Sequence, residues 1–109
     1  MILVIGGAFQ GKTEYVRENF GESKRVINHY HLKVKEELKE GKDPLKEAEA
    51  LLAETEDCVI ISDEIGYGLV PVDAFERQYR EAAGRVNCFL AKRAEQVIRV
   101  VCGIGTRIA

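Results

Sequence analysis

Lys12 and Thr13 close the stretch Gly6-Gly7-Ala8-Phe9-Gln10-Gly11-Lys12-Thr13, which has the spacing G-x-x-x-x-G-K-[ST] of a phosphate-binding P-loop. Gly6, Gly7 and Gly11 can take backbone angles closed to other residues, so successive amides can converge on phosphate oxygens. Lys12 is placed to reach the β- and γ-phosphates of ATP or GTP, and the Thr13 hydroxyl to ligate Mg²⁺. All eight residues are therefore candidate nucleotide ligands. A glycine-rich turn after a strand can also be a plain tight connection. The Lys-Thr pair in register, behind an unbroken apolar run from Met1 to Ile5, favours the phosphate reading.

Two acids form the second candidate group. Cys58-Val59-Ile60-Ile61-Ser62 reads as a buried strand that delivers Asp63 and Glu64 to its carboxyl end. An acid there can hold Mg²⁺, directly or through water, and a neighbouring one can take a proton from an attacking hydroxyl. Asp63 is accordingly the candidate metal partner and Glu64 the candidate base; a turn-capping role is the plain alternative. His29, Tyr30 and His31 follow a shorter apolar run, Arg25 to Asn28. At the carboxyl edge of an open sheet, the two histidines could act as base, nucleophile or metal ligands, or form an ordinary polar loop.

These side chains need a scaffold, and the pattern supplies one. A helix is expected from Thr13 to Phe20, ended by Gly21, and a charged one from Leu32 to Glu40. Asp43-Pro44 opens another that runs to about Glu54, with Leu45, Ala48, Leu51 and Leu52 on one face. The mixed charges from Lys33 to Lys46 read as a solvated face. Residues 65–71 are too glycine-rich for a helix and read as a loop over the crevice. Asp73 caps a long helix to about Ala94, in which Gly84 suggests a close packing contact. Gln96 to Cys102 is the fourth strand, followed by a short tail. Strands alternating with helices imply a three-layer α/β/α domain, residues 1–109, with a parallel sheet of about four strands.

The 109 residues are 46% hydrophobic, enough for a core. A net charge of −2 with interspersed signs argues against a protein built to bind nucleic acid. No apolar run is long enough for a membrane span, and no basic leader precedes the first strand, so a cytoplasmic protein is expected. Cys58, Cys88 and Cys102 are odd in number and widely spaced; buried thiols are expected rather than a disulfide or zinc site. A sheet this small has reason to bury apolar surface in a homo-oligomer.

The sequence resembles the adenosylcobinamide kinase/adenosylcobinamide-phosphate guanylyltransferase family. The resemblance lies in the first ~15 residues and in Ser62-Asp63-Glu64-Ile65-Gly66-Tyr67-Gly68-Leu69-Val70-Pro71, similar to the family's Ser-Asn-Glu-Val-Gly-x-Gly-Ile-Val-Pro. It continues through Arg77, Tyr79-Arg80, Gly84-Arg85, Asn87 and Val100-Val101-Cys102-Gly103. It implies a P-loop NTPase domain of recombinase-like strand order, here 2-3-1-4, and ATP- or GTP-dependent phosphorylation of a corrinoid hydroxyl in cobalamin biosynthesis. In the family, guanylate then passes from GTP to that phosphate through a histidine. The chain reads as a shortened member: Phe9-Gln10 replaces Arg-Ser in the P-loop, one acidic strand has no counterpart, and no segment aligns with the guanylylated histidine. Guanylyl transfer is therefore not expected. The alternative is a catalytically reduced nucleotide-binding paralogue serving as a regulatory or assembly subunit.

Overall fold

A computed structural model describes residues 1–21, 24–55, 57–65 and 73–109. Its elements run β1 (Ile2–Gly6), α1 (Lys12–Phe20), β2 (Arg25–Ile27), α2 (Tyr30–Lys39), α3 (Pro44–Glu54), β3 (Cys58–Asp63), α4 (Ala74–Arg93), β4 (Gln96–Val101) and β5 (Ile104–Arg107). The sheet order is β2-β3-β1-β4-β5. The first four strands are parallel and have the expected order, with the apolar β1 and β3 paired from Ile2↔Val59 to Gly6↔Asp63.

Alternate residues of each central strand face opposite layers. Ile2, Val4, Val59, Ile61, Ile98 and Val100 pack with Val16, on the α1 side. Leu3, Cys58, Ile60 and Val97 pack with Tyr30, Val34, Ala48, Tyr79, Ala83, Val86 and Leu90, from the three helices on the other side. The result is the three-layer α/β/α arrangement, with one helix on one face and three on the other among the described residues.

Helix ends follow local chemistry. The Asp43 carboxylate accepts from the Leu45 amide, with Pro44 in the first turn, and the Asp73 carboxylate accepts from the Phe75 and Glu76 amides. Gly21 closes α1 at φ 61°.

The tail departs from expectation. Residues 104–107 form β5, antiparallel to β4 with Val101 opposite Ile104, so the sheet is mixed and has a fifth strand. Cys102 and Gly103 both have positive φ, 50° and 77°, which suits a two-residue hairpin turn. Cys102 therefore leaves the strand and is exposed, as is Cys88; only Cys58 is buried, and all three thiols are free. The close contact expected at Gly84 is also missing: a Cβ there meets no described atom within 4 Å. Helix α2 starts two residues earlier than its charge pattern suggests, taking Tyr30 and His31 into its first turn. The loop expected over the crevice lies, apart from Ile65, outside the described residues.

Candidate nucleotide site

The P-loop spans the gap from the end of β1 to the first residue of α1. Gly6 is needed for space: a Cβ there would stand 2.5 Å from the Val100 carbonyl of β4. Gly11 caps α1 at φ 84°, so Lys12 and Thr13 open the helix and the loop lies at the positive end of its dipole. The loop is tied to the β4–β5 hairpin through Gln10. Its carbonyl accepts from the Gly103 amide at 2.7 Å, and its Oε1 accepts from the Cys102 amide at 2.8 Å.

Lys12 is 7% exposed and has its ammonium satisfied internally. Its Nζ donates to the Gly7 carbonyl at 2.6 Å and pairs with Asp63 Oδ1 at 2.7 Å. The structure thus brings the P-loop lysine and the strand-end acid together, as their places on neighbouring strands require. The Thr13 hydroxyl accepts from Asn28 Nδ2 at 3.1 Å, and Asn28 Oδ1 accepts from the His29 amide at 2.8 Å. Asn28, the residue after β2, is a site residue whose place in the sequence suggested only a strand.

His31 holds the other side of Asp63. Its Nδ1 accepts the Asp63 amide at 3.0 Å, which assigns the proton of the neutral ring to Nε2, 3.4 Å from Asp63 Oδ2. Burial lowers the His31 pKa from its ordinary value; the Asp63 charge opposes this, and His29 and Lys12 reinforce it. The Tyr79 hydroxyl of α4 donates to the His31 carbonyl at 3.0 Å, and burial pushes the phenol up to about 12. His29 is exposed, at φ 54°, with its ring 5.8 Å from that of His31 in an edge-on contact.

Glu64 stands apart from this group. Alternation along the strand turns it away from Lys12, and Arg99 of β4 grips both its oxygens, at 2.9 and 3.1 Å. Its amide donates to the Gly6 carbonyl at 2.8 Å, extending the β1–β3 ladder to the edge of the loop. Arg99 was not singled out in the sequence, because a single charge in an apolar strand carries no signal of its partner. The crevice between the P-loop and the start of α2 encloses about 460 Å³. Its polar floor includes Lys12, Thr13, Asn28 and Asp63.

A profile of the cobinamide kinase / cobinamide phosphate guanyltransferase family matches residues 23–108. The P-loop precedes that span, so it is a signal independent of the family match. Two curated relatives are similar to part of the chain, the bifunctional adenosylcobalamin biosynthesis proteins CobU of Salmonella typhimurium and Escherichia coli. Each is 41% identical over 66 residues, covering 57% of this chain and 36% of the relative. The chain thus spans about a third of the length of the curated relatives it matches.

Proposed function

Since the chain belongs to the cobinamide kinase / cobinamide phosphate guanyltransferase family, we propose that it binds ATP or GTP on residues 6–13 and phosphorylates a corrinoid hydroxyl. The observation that carries this reading is the pairing of Lys12 with Gly7 and Asp63. A buried ammonium held by a loop carbonyl and a carboxylate is a cation whose partners phosphate oxygens can replace. In this reading Lys12 and the loop amides bind and neutralise the phosphates, and the transferring group gains charge stabilisation from them.

Thr13 and Asp63 would hold Mg²⁺. Both are hard oxygen donors, and two such ligands suit an ion that takes its others from phosphate and water. Among the described residues no cluster of three or more His, Cys, Asp or Glu forms a self-sufficient metal site. When bound, the ion supplies further neutralisation of phosphate charge. Asn28 orients the Thr13 hydroxyl, and His31 orients the Asp63 carboxylate. Glu64 is the candidate acceptor of the substrate hydroxyl proton, aimed by Arg99.

The engagement of both Glu64 oxygens by Arg99 favours a second reading, a nucleotide-binding paralogue without transferase activity that serves as a regulatory or assembly subunit. Incubation with γ-labelled ATP or GTP, with and without adenosylcobinamide, separates the two. Label on the corrinoid supports the kinase. Nucleotide binding without label transfer selects the second reading.

A further inference from the structure

Phe9 is the P-loop residue whose side chain the phosphate reading leaves unexplained. It is fully exposed, at 102%, and adopts φ 61°, a left-handed conformation that bulky side chains rarely take. Positive φ at Phe9 and Gly11 suits a loop that turns successive amides toward an anion, but it does not account for a large apolar ring displayed to water. The adjacent residue shows how this conformation is held. Gln10 is fixed to the hairpin turn through both its carbonyl and its side chain, at 2.7 and 2.8 Å, which leaves Phe9 standing off the sheet.

Phe9 borders the same 460 Å³ crevice whose floor holds Lys12 and Thr13. Leu32, 49% exposed in the first turn of α2, lies on the crevice wall, as does His29. The crevice therefore has a polar floor, where Lys12 is paired with Asp63 beside the Thr13 hydroxyl, and an apolar, aromatic rim. A ligand matching both has phosphates at one end and a flat ring at the other.

We infer that Phe9 is a stacking platform for the base of the bound nucleoside triphosphate. This deepens the nucleotide-binding reading and rests on it. A phenyl ring offers a π-face and no hydrogen-bonding groups, so it binds adenine and guanine alike. The base then adds affinity with little choice between ATP and GTP.

The test compares inorganic triphosphate, ATP and GTP as ligands of wild type, Phe9→Ala and Phe9→Trp by titration calorimetry with Mg²⁺. Phe9→Ala is expected to weaken ATP and GTP by about fivefold or more, to leave triphosphate unchanged, and to be rescued by Phe9→Trp. Equal weakening of triphosphate would overturn the inference, because Phe9 would then act on the shape of the loop. Unchanged ATP and GTP affinity would overturn it too, and a rise confined to the KM of a corrinoid acceptor would move the ring to that substrate. Failure of wild type to bind any of the three would overturn the P-loop reading itself. Triphosphate binding without a gain from the base overturns the stacking platform alone.

Discussion

Lys12 pairs with Asp63 and donates to the Gly7 carbonyl, and Asp63 is held from its other side by His31, which fixes what substitutions there should do. Removing the Asp63 charge takes away the proposed metal partner, whereas removing the Glu64 charge breaks only the Arg99 grip on the far side of the strand. Asp63→Asn should weaken Mg²⁺-nucleotide binding by about tenfold, or about 1.4 kcal/mol, while Glu64→Gln should spare binding and slow phosphate transfer. Calorimetry with the two variants checks this; the reverse pattern would exchange their roles. Tyr79 offers a different residue-scale handle. Its phenol titrates near 10 in the unfolded chain and near 12 when folded. Between those values the unfolded chain has lost a proton that the folded chain keeps, so this contribution is present below pH 10 and fades as pH rises to 12. Tyr79→Phe should flatten the fall in stability over that range, measured by urea unfolding at a series of alkaline pH values. Tyr30 shifts in the same direction, so the slope should shrink without vanishing.

At the scale of elements, legibility in the sequence tracked how locally each structure is determined. β1 and β3 were legible because strands covered on both faces are apolar at every position. α3 and α4 were legible because Asp43 and Asp73 cap them and apolar residues recur with helical period. Asp63 beside the P-loop followed from the strand order that the family resemblance implied. The hairpin was not legible: its turn uses Cys102 at positive φ, where Asn or Asp would have announced it. Nor were Asn28, Arg99 or the hold of the candidate His31 on Asp63, whose partners lie 15, 35 and 32 positions away. Long-range pairs of polar side chains leave no local pattern. Gly84 was misread because a helical glycine signals either a close contact or an unfilled position, and sequence does not distinguish them. The structure shows no described neighbour for its Cβ, so Gly84→Ala should stabilise the protein by about 0.8–1 kcal/mol through helix propensity. A loss of stability on urea unfolding would mean that the small side chain is needed there.

For the whole molecule, the site is also a junction. Hydrogen bonds and ion pairs run from Tyr79 on α4 to His31 on α2, to Asp63 on β3, to Lys12 and Gly7 in the P-loop. A separate pair of bonds joins Gln10 to the β4–β5 hairpin. Under the proposed reading, phosphate bound at the loop would add its free energy to contacts that hold both helical layers and the sheet edge. A ligand that binds only the folded state adds about 2.7 kcal/mol at a hundred times its Kd. For a chain of this length that corresponds to a rise in Tm of roughly 10 °C. We expect a shift of that size for wild type with saturating ATP or GTP and Mg²⁺, and the same shift for Gly84→Ala, which alters stability far from the loop. Lys12→Ala should lose most of the shift, because the nucleotide loses its charge-assisted contact while Asp63 is left without the ammonium. Thermal scans at fixed nucleotide concentration check this. An undiminished shift in Lys12→Ala would mean that nucleotide binds somewhere other than the P-loop, and the junction would then be a structural bracket alone.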